Sequence, residues 1–139
     1  MSSRHRYFQR ALGLVYFHFG LLKFFEDLSP AEVLASETLH RLSWSLLEAR
    51  SSLTFLGIVE VGLGVALFFD LFRKWTFYAF VAHMLGTFIP LFLLPEFAFK
   101  IAPFAPSFEG QYILKNLAIL TAGWALLKPN IHQSRKDES

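Results

Sequence analysis

Six polar side chains able to carry charge, move a proton or hold a polar ligand sit inside otherwise apolar runs of this chain: His18, Lys23, Glu60, His83, Lys115 and Asn116. An ionised side chain at the centre of a membrane-spanning helix costs about 2.5–3.5 kcal/mol on insertion scales, so each needs a partner or a task. Lys23 lies near the outer end of the first apolar run and Lys115 about as far inside the start of the last. Glu60 sits about eight residues from the outer start of the second run, roughly 12 Å at 1.5 Å per residue. Lysine stems lean along apolar surface, so these depths allow one carboxylate and two ammonium groups to meet in the outer half of a bundle. A glutamate placed between ammonium groups stays ionised, whereas alone in hydrocarbon it takes up a proton. Glu60, Lys23 and Lys115 are therefore the candidate catalytic residues, suited to proton handling or to binding an anion. The plainer reading has both lysines snorkelling to the outer headgroups while Glu60 makes one structural salt bridge.

Spacing assigns faces to these groups. Gly13, Tyr16, Gly20 and Lys23 recur at intervals of 3, 4 and 3, and Gly57, Glu60 and Gly64 share a face in the same way. Glycine lets helix backbones approach closely in lipid, so Lys23 and Glu60 lie on faces made for contact, within the bundle or at a homo-oligomer seam. His83 shares a face with Gly86 and Pro90, and Asn116 precedes Gly123 by two turns. His83, Asn116 and Tyr16 are the candidate cofactor-binding residues, although a lone histidine in a bundle is more often hydrogen-bonded glue. His18 falls nearly opposite the glycine face. Haem is disfavoured, because two facing histidines are its usual requirement. The chain has no cysteine, which excludes dithiol chemistry, thiolate metal sites and cysteine nucleophiles of its own. No metal site is expected.

The elements that must position these residues are read from hydropathy. Of 139 residues, 54% are hydrophobic, and 17 are Phe; a small soluble domain has too little interior to hide that much apolar surface. One domain is expected over residues 1–139, all-α, a polytopic membrane protein built as a four-transmembrane-helix bundle. The spans are expected at residues 7–25, 53–72, 75–94 and 112–127, with a polar tail over 128–139. Each approaches the 20 or so residues that cross about 30 Å of hydrocarbon. Arg4, Arg6 and Arg10 before an apolar run resemble a signal peptide, but Lys23-Phe24-Phe25-Glu26-Asp27 offers no small-residue cleavage site, so the first helix is expected to be retained.

Eight Lys and Arg (Arg4, Arg6, Arg10, Arg73, Lys74, Lys128, Arg135, Lys136) flank one side of these spans and three (Arg41, Arg50, Lys100) the other. The positive-inside rule then places both termini in the cytoplasm. In the first outer loop Ser29-Pro30-Ala31-Glu32 has the form of a capping box. Ala35, Leu39, Leu42 and Leu46 follow at helical spacing, with Trp44 as an interfacial anchor. An extracytoplasmic amphipathic helix is expected there, lying on the bilayer. The second outer loop, Pro95–Phe108, interleaves Pro and Phe and excludes a regular helix. The two outer loops together are placed to roof the bundle. Basic residues sit at ends and turns rather than in a patch, so no nucleic-acid partner is expected.

Three runs carry a family resemblance: Arg10-Ala-Leu-Gly-Leu-Val-Tyr-Phe-His-Phe-Gly-Leu-Leu-Lys23, Gly57-Ile-Val-Glu60-Val-Gly-Leu-Gly64, and Glu109-Gly-Gln-Tyr-Ile-Leu-Lys115-Asn116-Leu. In this order the chain resembles the DoxX-like superfamily of small four-helix membrane proteins over nearly the whole transmembrane region. The resemblance implies the bacterial inner membrane and an association with oxidative-stress defence, thiol homeostasis or membrane-protein assembly; the name comes from membrane subunits of thiosulfate:quinone oxidoreductase. Lys23, Glu60, Lys115 and Asn116 match its polar positions. The chain lacks the paired cysteines of redox-active relatives, and its long first outer loop is closer to a subgroup of unknown function. Three activities stay open: a quinone-linked redox subunit acting with a membrane or soluble redox partner, a non-catalytic scaffold or assembly factor, and a minimal proton-coupled transporter using Glu60. The cofactor is unspecified, with quinone the candidate.

Overall fold

A computed structural model describes residues 3–29 and 32–129. The order of elements is α1 (Ser3–Leu22), α2 (Glu32–Leu42), α3 (Ala49–Phe69), α4 (Arg73–Gly86), α5 (Ile89–Leu93), α6 (Pro95–Ala98), β1 (Phe99–Ile101), β2 (Ala105–Pro106) and α7 (Phe108–Leu127). The chain is thus largely helical, with one small antiparallel hairpin pairing Phe99 with Pro106 and Ile101 with Ala105.

The long helices begin about four residues earlier than hydropathy suggests, because polar residues complete their first turns. In α7, Ser107 caps the helix by accepting from the Gly110 N–H at 3.0 Å, which satisfies one of the donors that a helix start leaves unpaired. α1 ends at Leu22, and Lys23, Phe24 and Phe25 continue as tighter turns, each N–H bonding three residues back. Lys23 therefore lies just past the helix rather than within it. The third expected span is broken between Gly86 and Ile89. Pro90 lacks an N–H and its ring collides with the carbonyl four residues earlier, so the helix resets at Thr87–Phe88; the Thr87 hydroxyl donates to the Met84 carbonyl at 2.6 Å.

Glycine sets the closest packing. A Cβ at Gly13 would lie 2.7 Å from the Phe68 N, and one at Gly20 would lie 2.7 Å from the Val61 N. α1 and α3 are in backbone contact along that seam. One core cluster (Leu12, Tyr16, Leu63, Leu67, Phe77, Phe80, Met84, Leu127) fills the space between α1, α3, α4 and α7, and a second (Leu34, Leu94, Ile113) joins α2 to α5 and α7.

Two stretches among the described residues are long and apolar enough to cross a membrane, Ala49–Phe69 and Arg73–Leu93. Within them only 39% and 28% of the most apolar window is buried inside the protein, unlike a core helix of a soluble domain. α1 and α7 are also 20 residues each. Their composition is more polar, through Arg4, Arg6 and Arg10 in the one and Glu109, Lys115 and Asn116 in the other. Both nevertheless leave large apolar side chains uncovered, including Leu14, Phe17 and Leu21 on α1 and Leu114, Leu117 and Trp124 on α7.

The two connecting regions at the α2 end meet each other. Ala35, Leu39 and Leu42 of α2 face inward onto a cavity instead of lying flat on a surface. α2 stops at Leu42, before Leu46, because Trp44 and Ser45 take left-handed backbone angles; Leu46 is exposed and does not extend the apolar stripe. Arg41 holds Glu37 at 3.1 Å and reaches across to Glu96 at 3.3 Å and to the Leu93 carbonyl at 3.3 Å. The roof is thereby pinned to the second connection. Pro30 and Ala31 of the expected capping box, and the polar tail from residue 130, lie outside the described residues.

Candidate functional site

The site starts from the glycine seam. Gly57 and Gly64 flank Glu60 on α3, and a Cβ at Gly20 would stand 2.8 Å from the Glu60 Cβ. The absence of side chains there lets the α1 backbone lie directly over the glutamate. Lys23, one turn beyond Gly20 on the same face, then folds its ammonium onto the carboxylate: Nζ to Oε2 is 2.7 Å, with the two side chains 8% and 10% exposed.

The other carboxylate oxygen is taken by α4. His83 Nε2 lies 3.3 Å from Glu60 Oε1, and His83 Nδ1 lies 3.1 Å from the Tyr16 hydroxyl. Three helix segments thus contribute one linear chain, Lys23–Glu60–His83–Tyr16. Tyr16 is buried, with its ring edge-on to His83 and Phe80 at centroid distances of 5.3 and 6.0 Å. Facing a carboxylate, Nε2 carries a proton, and in the neutral imidazole Nδ1 then accepts from the tyrosine O–H. In the imidazolium Nδ1–H donates instead, and the tyrosine hydroxyl proton is released to point elsewhere. The protonation state of His83 therefore decides whether Tyr16 offers a donor or an acceptor to a third group.

That third group has room. Lys23, Glu60, His83 and Tyr16 line a half-open cavity of about 420 Å³ between α1, α2, α3, α4, α5 and α7, whose walls are otherwise mainly apolar. The volume is in the range of small-molecule sites, which combine apolar walls with a few convergent polar groups.

Lys115 does not join the ion pair. It is exposed on α7, makes no salt bridge among the described residues, and lines the same cavity. α1 and α3 close on one another through glycine, which brings Lys23 to Glu60, whereas α7 packs against α1, α4 and α6 without bringing Lys115 within salt-bridge distance of the carboxylate. Asn116 lines the cavity too, donating from Nδ2 to the Thr87 Oγ1 at 3.0 Å. It ties α7 to the break between α4 and α5. His18 is exposed, its ring edge-on to Phe19, and both nitrogens of His83 are engaged within the protein, so the two histidines do not form a facing pair. No group of three or more metal-ligating side chains occurs among the described residues.

Sequence reasoning missed that His83 and Glu60 touch. The available signal was depth, since Glu60 lies near the middle of α3 and His83 near the middle of the apolar stretch Arg73–Leu93. Also missed were the inward face of α2, the Arg41 bridge, and Gln9, which is buried and donates from Nε2 to the Leu67 carbonyl at 2.7 Å and to Asp70 at 3.0 Å. Comparison of the chain with family models, with curated proteins and with solved structures gave no match.

Proposed function

We propose that the chain is an integral membrane protein with four spanning helices, α1, α3, α4–α5 and α7. Both termini lie on the cytoplasmic side of a bacterial inner membrane, and the protein serves as the membrane subunit of a redox or oxidative-stress system whose cavity receives a quinone-type head group. The observation that carries this reading is the Lys23–Glu60–His83–Tyr16 chain on the wall of an apolar cavity. The outer faces of all four helices supply support for the span assignment, since they expose apolar side chains that water does not favour. The α2–α6 roof then lies on the extracytoplasmic side, where the sparse Lys and Arg of Arg41, Arg50 and Lys100 place it.

A quinone oxygen accepts a hydrogen bond when oxidised and donates one when reduced. Tyr16, switched by His83, matches both states, and Glu60 with Lys23 fixes the imidazole. With no thiol in the chain, electrons are proposed to pass through a partner protein. Membership of the DoxX-like superfamily is part of this proposal and rests on the three sequence runs around Lys23, Glu60 and Lys115. A proton carrier fits less well, because the carboxylate already has an ammonium at 2.7 Å and a carrier must release its charge cheaply. A scaffold leaves the cavity without a task.

The test is binding of decylubiquinone to the full chain purified in maltoside, read as protein-dependent retention over empty micelles. The expected outcome is saturable binding that Tyr16→Phe weakens about tenfold, the worth of one hydrogen bond to a strongly accepting group. Retention no greater than in empty micelles refutes the quinone assignment.

A further inference from the structure

The charge of the cavity wall is not balanced. Lys23 and Glu60 neutralise each other at 2.7 Å, and His83 has both nitrogens engaged. Lys115 adds a positive charge with no acidic partner among the described residues. Its neighbourhood is rich in unspent donors. Asn116 uses one amide N–H on Thr87 and keeps a second, while the Thr87 hydroxyl is spent on the Met84 carbonyl. Among the described residues Glu60 is the one carboxylate that lines the cavity, and it is already held by Lys23. Donors and a cation at one pole, with apolar surface between, describe a receptor for an anion attached to hydrocarbon.

Size limits the hydrocarbon. A cavity of about 420 Å³ lies in the range of about 300–1,000 Å³ that holds one small ligand, which suits one medium-length chain. We propose that the cavity binds a single-chain amphiphilic carboxylate, with the head on Lys115 and Asn116 and the chain along the α2-covered walls. This rests on reading the cavity as a ligand site, and not on that ligand being a quinone.

The test is equilibrium binding of radiolabelled laurate to the full chain in maltoside, corrected for empty micelles, with laurate, methyl laurate and phosphatidylglycerol as competitors. Laurate is expected to compete about tenfold better than its methyl ester, the worth of a charge-assisted hydrogen bond. The gap should collapse in Lys115→Gln and persist in Lys115→Arg. Equal competition by acid and ester in the wild type, or an unchanged gap in Lys115→Gln, overturns the proposal. Phosphatidylglycerol outcompeting laurate also overturns it, assigning the Lys115 pole to a lipid headgroup. Added decylubiquinone separates the two readings: failure to displace laurate counts against the quinone alone, and failure of laurate to bind counts against the carboxylate alone.

Discussion

Removing either half of the Lys23–Glu60 pair should damage the protein more than removing both. The ions are 2.7 Å apart and nearly covered. At an effective dielectric of about 20 their Coulomb attraction is about 6 kcal/mol, before the desolvation cost of both groups is subtracted. Truncating one partner of a buried pair typically costs about 3–5 kcal/mol, because the other charge is left uncompensated. Lys23→Met should therefore strand the Glu60 carboxylate with only His83, and Glu60→Gln should strand the ammonium. In the double variant no charge remains, and the glutamine oxygen still accepts from His83 Nε2. Its stability should exceed that of either single variant, giving a coupling energy of about 3 kcal/mol or more across the cycle. Unfolding in mixed maltoside–dodecyl sulfate micelles, followed by helical circular dichroism and by tryptophan emission, measures each corner. Thiol-reactive melting dyes do not serve, since the chain has no cysteine. Additive losses, or single variants as stable as the wild type, would refute the idea that this pair is held away from solvent as a unit.

The same unfolding assay checks three further expectations. Gly64→Ala should cost at least about 1–3 kcal/mol, as its Cβ would meet the backbone of Phe17 and the Gly13 carbonyl. Gly62→Ala, with nothing within 4 Å of the new atom, should be neutral or stabilising by about 0.4–1 kcal/mol, so equal damage at both positions would contradict the seam. Ser52 is fully buried and its hydroxyl has no partner among the described residues; Ser52→Ala should stabilise by about 1 kcal/mol, and a loss instead would point to a partner that the hydroxyl needs. Arg41→Ala should change global stability by less than about 1 kcal/mol, since both its ion pairs are exposed. Hydrogen exchange should nevertheless quicken selectively over residues 32–42, and uniform exchange would mean that the bridge does not pin the roof.

Hydropathy located the long helices to within a few residues, because apolar runs bounded by Arg, Asp and Pro leave few other assignments. The glycine intervals also located the α1–α3 seam, since a residue without Cβ at helical spacing has few other uses between helices. What stayed hidden depended on the third dimension. Periodicity put Lys23, Glu60 and Lys115 at compatible depths, but depth does not say which helices are neighbours. Lys115 remains outside salt-bridge distance of the pair, while α4 is near enough for His83 to take the free carboxylate oxygen. The break at Thr87–Phe88 was implicit in Pro90, and reading residues 75–94 as one continuous span overlooked it. α2 carried an amphipathic signal, and its apolar stripe lines the cavity. An apolar stripe fits a membrane surface and a cavity equally well, and only the contacts of Ala35, Leu39 and Leu42 distinguish them.

The location of the polar chain bears on whether it exists for stability alone. Well-packed apolar residues commonly match or exceed a buried ion pair in stability, so a purely structural tie gains little from four polar groups in series. Such a tie would also be expected to lie closed over by its neighbours, because filled space around a polar network gives the lowest energy. Here the four groups are nearly covered, yet each keeps an edge on a half-open cavity of about 420 Å³. Glycine at positions 20, 57 and 64 shows that the fold is able to bring backbones into contact where it is free to do so. Open space kept beside the polar chain, in a protein that closes so tightly one helix turn away, is the observation on which the proposed ligand site rests.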